Sequence, residues 1–408
     1  MFEEYGFLYA DEDDTWEVDE VIDIAEKLGL SISRQVLTGH THISSLLRAV
    51  RVAVAIDLLG PQTGQDNLDF IISYPADKLL YFADVIAIIN GVDLFTGDKA
   101  QRNYAAIVHN KNIEDLFHCL NAICEVELLS NNFTAQANFE TLIKHQELPL
   151  LSICLQEAVN SGLLLNNQLD MVNAAGQAYF DIIAHHTCLN SLSILLQVAQ
   201  QVGYFGNDAQ INFYFITGLR ARNLIKISDI VFIPGLRYLL GRHNGFHNFD
   251  AIIHYENPWR LFEALDSASK EGLLGASAAA QANFNILINH KNLPYLNLAI
   301  CPHNNAGLFE NNFGQKNFEA MVMHPNLPIL VDKLIAAEAG PLLRGVSAQK
   351  NFEAMVSESK TPKDLPIRSP RFFSSKVQPQ NILGTAQAIN SLTSKQPVTS
   401  LPGATLGD

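Results

Sequence analysis

The sequence predicts an all-α fold made of tandem two-helix repeats of about 35 residues, stacked as an α-solenoid or helical bundle. Three observations predict it. A Gln-x-Asn-Phe motif recurs along most of the chain, apolar stripes at helical spacing follow each copy, and Gly-Leu-Leu elements close several of those stripes.

The motif is clean at Gln136, Gln281, Gln315 and Gln349, with His145, His290 and His324 nine residues after the first three. Variants begin at Gln65, Gln101, Gln177 and Gln210, and a ninth copy at Phe246 has lost the Gln. The residues at the Asn position are Asn67, Asn103, Asn138, Tyr179, Asn212, Asn248, Asn283, Asn317 and Asn351, spaced 36, 35, 41, 33, 36, 35, 34 and 34 residues apart. The long interval from Asn138 to Tyr179 marks a candidate break in the array near residues 165–176.

Each unit is expected to hold a helix of about ten residues, a turn, and a helix of about thirteen. Pro149, Pro258, Pro294 and Pro328 fall one step into the second helix, where a missing N–H costs nothing. In the unit after Gln136 the buried stripe reads Leu150, Leu151, Ile153, Cys154, Ala158 and Val159. Gly162, Gly272 and Gly307, each followed by an apolar pair, supply the left-handed residue that ends a helix. Thr134, Asp208 and Ser347 are placed to cap the next first helix. Pro302, after Cys301, cuts one second helix short.

These signals divide the chain into an acidic segment over 1–30 with a capping helix near Trp16–Leu28, an array over 31–356, and a Ser/Thr/Pro-rich tail over 357–408 that reads as disordered. The net charge is −15, and residues 1–27 hold eleven acids against Lys27 alone. Such a chain lacks the cationic surface that nucleic acid requires. Its apolar runs are short and interrupted by charge, so no membrane span is expected, and the first residues do not form a secretory signal. Five cysteines without a CxxC pair read as reduced, buried thiols of a cytoplasmic protein.

Asn is a poor helix-interior residue, so its recurrence needs a cause. Two are available: a buried amide bonded to the loop of a neighbouring unit, or a ladder of amides facing a ligand groove. The histidines His145, His186, His290 and His324 stand in a last helical turn, favourably placed against the helix dipole. Neighbouring units lie too far apart to share a metal, and His40/His42 and His243/His247 are poor ligand pairs, so no metal or cofactor is expected.

One stretch is basic. Arg220, Arg222, Lys226, Arg237 and Arg242 stand against Asp229 alone, among Gly218, Pro234-Gly235 and Gly241, which shorten or bend the helices there. This stretch reads either as a solvated face or as a docking surface for a protein partner, for an acidic protein segment or phosphoinositide headgroup, or for the acidic N-terminus of the chain itself.

The Gln-x-Asn-Phe units with their trailing His and Leu-Pro elements, over roughly residues 60–356, resemble repeats in effector proteins of Legionella-type intracellular bacteria. The resemblance implies export through a type IV secretion apparatus into a host cell, directed by a flexible C-terminal segment. In this tail Glu358 and Asp364 are isolated rather than part of an acidic run. No catalytic residue carries over, because the shared motif is not catalytic. The expected function is therefore a non-catalytic scaffold for protein–protein interaction, the alternative being an enzyme with a site in the divergent unit at 210–250.

Overall fold

The computed structural model describes residues 15–97, 99–130, 133–164, 174–206, 208–241, 243–301, 308–309, 313–338, 341–343 and 347–359. Among these the chain is all-α, with twenty-one α-helices and no strand. A first helix, α1 (Thr15–Lys27), precedes the pairs α2 (Arg34–Thr38) and α3 (Ile43–Ala55), α4 (Gly64–Ser73) and α5 (Ala76–Gly91), α6 (Lys99–Val108) and α7 (Ile113–Glu125), and α8 (Phe133–Lys144) and α9 (Leu148–Asn160). The next are α10 (Ala174–Ala184) and α11 (Leu189–Gln201), then α12 (Ala209–Thr217), whose partner is split into α13 (Ala221–Val231) and α14 (Pro234–Leu240). The array continues with α15 (Gly245–Ile253) and α16 (Pro258–Lys270), α17 (Ala278–Asn289) and α18 (Leu293–Ile300), α19 (Gly314–Val322) and α20 (Leu327–Glu338), and ends at α21 (Ala348–Glu358). The ordered array thus runs past 356 through Ser357 and Glu358, whereas the rest of the expected tail, 360–408, lies outside the described residues.

The second helices form one continuous file: α1, α3, α5, α7, α9, α11, α13, α16, α18 and α20 each pack on the next. The file passes the candidate break without interruption, because α9 packs directly on α11; residues 165–173 themselves lie outside the described residues. The seventh residue of each second helix makes the seam. Val21, Ala49, Phe82, Cys119, Cys154, Leu195, Ile227, Ala264 and Ala299 are all fully buried, and the thiols of Cys119 and Cys154 face the Leu148 and Leu189 carbonyls that open the following helix. Burial pushes the Cys119 thiol up and the Cys154 thiol up to about 12, as expected of inert packing groups. In α20 the seventh residue is Lys333, which pairs with Glu358 at 3.0 Å, so the seam stops on a charge. A polar outer face is what a terminal repeat needs. At the other end α1 covers α3 with Val18, Val21 and Ala25, while its acids engage the array. Glu20 accepts from Nε and Nη2 of Arg51, Asp19 pairs with Arg34, and Glu17 accepts from Ser44 at 2.8 Å, while Asp23 pairs with Lys27 within α1.

Units are joined by amides. Asn138 Nδ2 donates to the Leu128 carbonyl in the preceding loop at 2.9 Å and to Gln177 Oε1 of the next unit at 2.8 Å, and Gln177 Nε2 donates back to Asn138 Oδ1 at 2.8 Å. The same closed pair joins Asn103 to Gln136, Asn248 to Gln281, Asn283 to Gln315, and Asn317 to Gln349. Each Gln spends its second N–H on residue i+4, as Gln136 does on Glu140 and Gln315 on Glu319. Before the first unit there is no Asn, and the backbone of Ser31 stands in for one: its N–H and C=O take the two ends of the Gln65 amide.

A small residue always precedes the Asn by three places: Gly64, Ala100, Ala135, Gly176, Ala209, Gly245, Ala280, Gly314 and Ala348. It lets the first helix start directly against the loop whose carbonyl the Asn receives. A methyl on Gly64 or Gly245 would collide with the carbonyl of Leu59 or Leu240.

The loops differ from expectation in two details. The left-handed closing residue is Gly162, Gly203 and Gly272 in three units, but Asp57, Asp93 and Glu127 hold the same conformation at φ 57°, 58° and 62°; Gly307 lies outside the described residues. Asp208 and Ser347 occupy N-cap positions without accepting from the helix, because their backbones (ψ 27° and −6°) are not extended as a side-chain cap requires; Thr134 lies inside α8. Ser277, with ψ 157°, and Asn257 do cap, accepting from Ala280 and Arg260.

Candidate interaction surface

The divergent unit departs from the array at its joints first. Tyr179 replaces the Asn that Gln210 would meet, and Phe246 replaces the Gln that Asn212 would meet, so both joints of α12 lack the amide pair. Aromatic packing takes over. Tyr179 meets Phe213 edge-on at 4.9 Å, Tyr204 meets Phe246 and Phe249 at 5.4 and 5.2 Å, and the Tyr204 hydroxyl donates to Asp250 at 3.1 Å. Burial, followed by that carboxylate, holds the Tyr204 phenol well above its usual range.

The second helix of this unit is broken by Pro234, which opens α14 where the N–H is dispensable. Gly235 then lies against Leu274, with its N–H donated to Ser269 Oγ at 3.2 Å; a Cβ there would come within 2.6 Å of Leu274 Cβ.

The basic residues do not form one cluster. Lys226 is withdrawn from solvent, only 8% exposed. Its ammonium pairs with Asp229 at 2.7 Å and lies 4.2 Å from the Trp259 ring centre and 4.1 Å from that of Phe262, both on α16. It is a packing cation held by two aromatic faces, so it drops out of any docking surface. Arg222 also approaches the Trp259 ring, with its guanidinium 4.9 Å from the centroid, and remains exposed. Arg220 is exposed at the start of α13, Arg237 is exposed on α14, and Arg242 lies outside the described residues.

Sequence reasoning from charge missed the apolar half of this surface. Arg222, Ile225 and Asp229 on α13 and Phe232 at its C-cap fall at helical spacing on one stripe, with Ile225 45% and Phe232 67% exposed. Trp259 continues the stripe onto α16 through its contact with Arg222. Tyr238 on α14, Ile211 on α12 and Phe246 on α15 add exposed side chains nearby in sequence. The signal was present as apolar residues flanking the arginines, but nothing in the sequence told outward from inward on a helix interrupted at Pro234.

The remaining candidates are structural. His145, His186, His290 and His324 each accept, through Nδ1, the backbone N–H two residues on, at 3.1 to 3.2 Å. Their rings also reach the end of the next unit's first helix, at the backbone of Ala184, Thr217, Val322 and Val356. An Nδ1 that accepts belongs to a neutral imidazole, so these residues are uncharged bridges rather than cations on a helix dipole. Burial accordingly lowers the pKa of His145, His186 and His290. His40 Nδ1 accepts from the His42 backbone at 3.3 Å, and His243 and His247 are exposed. Among the described residues no group of three His, Cys, Asp or Glu side chains converges on a metal-sized site, and no helix is long and apolar enough to cross a membrane.

No family model matches the chain, and no curated protein or solved structure proves similar to it.

Proposed function

We propose that this protein is a non-catalytic scaffold that binds a protein partner through the outward stripe of α13 and α16. The observation that carries the reading is the juxtaposition of exposed Arg222 with Trp259, Ile225 and Phe232. Tryptophan and arginine are the residue types that dominate binding energy where partners meet, and scattered apolar residues on an ordinary surface do not line up on one stripe. The unit that presents them is also the one whose joints and second helix depart from the repeat. A protein segment suits this surface better than a phosphoinositide headgroup, because Asp229 sits within the stripe and Lys226 is already spent on it.

The likeness of the repeat to bacterial effector repeats supports a scaffold exported through a type IV apparatus and working in a host cell. A translocation reporter fused to the chain, compared in secretion-competent and secretion-deficient bacteria, tests that part separately.

The binding reading is tested by affinity capture from host-cell lysate, with wild type compared against a folded variant carrying Arg220→Glu, Arg222→Glu and Phe232→Ser. A partner held by wild type and lost by the variant supports the assignment. The same partner held equally by both moves the binding face elsewhere on the array.

A further inference from the structure

The stripe on α13 and α16 is complementary, in charge and in chemistry, to a segment of this same sequence. Residues 1–14 carry Glu3, Glu4, Asp11, Glu12, Asp13 and Asp14 without a single Lys or Arg, and between the two acid groups stand Tyr5, Phe7, Leu8 and Tyr9. Of the acids that follow in α1, Glu17, Asp19 and Glu20 hold partners on α2 and α3, and Asp23 pairs with Lys27 within α1.

We propose that residues 1–14 of a second copy of this chain dock on the outward stripe of α13 and α16. The aromatic run lies against Ile225, Phe232 and Trp259, and the flanking acids lie beside Arg220 and Arg222. This deepens the scaffold reading, on which it rests, by naming an occupant for the surface. Opposite charges at the rim fix register and speed encounter, while the aromatic anchors hold the complex.

Reach measured along the file favours a second copy's segment over the chain's own. Six helix-to-helix steps along the file separate α1 from α13. At about 9 Å a step they amount to roughly 55 Å. The link from Tyr9 to Thr15 is six residues, which fully extended span about 20 Å. Along the file the aromatic run thus falls short of its own stripe, which favours docking on a neighbour's. Docked this way, the segment would also screen the surface from other partners until one of higher affinity displaced it.

The test uses the full chain with Phe7 replaced by a benzophenone-bearing phenylalanine. Nitrogen-15-labelled and unlabelled copies are mixed, irradiated and mapped by mass spectrometry. The expected result is cross-links from residue 7 to peptides containing Phe232 or Trp259 that join labelled to unlabelled chains. Their yield should fall at least about tenfold when Arg220→Glu and Arg222→Glu are introduced into a chain with unchanged circular dichroism. Cross-links confined to a single chain, cross-links to other helices, a yield indifferent to the arginines, or no cross-link at all would each overturn the proposal. The failure of the scaffold reading is read separately: partner capture that depends on Arg220 and Arg222 while residue 7 cross-links elsewhere removes only self-docking.

Discussion

Asn283 and Gln315, thirty-two residues apart, close a two-way amide pair: Nδ2 of Asn283 donates to Oε1 of Gln315 at 2.9 Å, and Nε2 of Gln315 donates back to Oδ1 of Asn283 at 3.0 Å. Asn283 also serves the buried Leu273 carbonyl at 2.9 Å, whereas Gln315 spends its other N–H on exposed Glu319. Asn283→Ala strands a buried acceptor and is expected to cost about 2–4 kcal/mol, against about 1 kcal/mol for Gln315→Ala. Asn283→Asp should be worse than alanine, because a carboxylate would face the Leu273 carbonyl with no proton to donate. Urea unfolding of the single variants and the double variant measures the pair, and equal costs for the two alanines would contradict this hierarchy.

Tyr104 fills the position that Phe139, Phe180, Phe213 and Phe249 fill elsewhere, and its buried hydroxyl has no hydrogen-bond partner. Burial alone lifts its phenol far above the usual range. Tyr104→Phe removes an unsatisfied polar atom from the core and should raise stability by about 1 kcal/mol. A lower melting temperature in the variant would show that the hydroxyl is served after all.

The bridging histidines make the array sensitive to acid. Desolvation holds His145, His186 and His290 below the ordinary value of 6.5 in the folded state. Above 6.5 both folded and unfolded chains carry neutral rings, so these residues leave stability unchanged there. As pH falls below 6.5 the unfolded chain takes up protons first, and stability is lost until the lowered folded value is passed. Asn110 shows a non-titrating replacement, with its Oδ1 accepting the Asn112 N–H at 2.8 Å. Replacing His145, His186 and His290 with Asn should flatten the loss that sets in below about pH 6.5 in parallel melts of the wild type. An unchanged slope would assign acid sensitivity to the carboxylates instead.

Gly245 and Gly272 should fail for different reasons. Alanine at Gly245 collides with the Leu240 carbonyl and must separate α15 from its loop, while alanine at Gly272, with open space around it, meets only the cost of φ 71°. The second is expected to cost about 1–2 kcal/mol and the first clearly more. Thermal melts showing the reverse order would mean that the loop before α15 yields more readily than its packing implies.

Lys333 ends the buried seam that runs from Val21 to Ala299. Lys333→Leu removes an exposed ion pair worth at most about 1 kcal/mol, so the fold should survive. What changes is the end of the stack, which becomes apolar and adhesive. Light scattering is expected to show concentration-dependent association in the variant beyond that of the wild type, and identical profiles would show that the end is protected by something other than this charge.

The helical period and the place of each buried Phe could be read from the chain because both repeat at fixed offsets within one unit. The partner of each Asn could not, since Gln281 and Asn248 belong to different units and meet only when the two stack at one particular offset. The small residue at Gly64, Ala135 or Gly314 was as regular as the Asn, but glycine and alanine are too common in helices to stand out before the nearby carbonyl is seen. The candidate surface was half legible. Arg222 and Phe232 face outward, but Lys226 turns inward because Trp259 and Phe262, more than thirty residues on, offer it two ring faces.

The missing amide pairs on either side of α12 bear on how the array comes apart. In a linear stack each joint couples only nearest neighbours, so cooperativity is transmitted joint by joint. The paired runs from Asn103 to Gln177 and from Asn248 to Gln349 are strongly coupled blocks, with an aromatic joint of different temperature dependence between them. Asn67 likewise bonds only Leu58 and Thr63 and not Gln101, so a chain pulled from its ends is expected to part at the joints without the pair, around α12 and between α4 and α6, before the paired blocks themselves come apart.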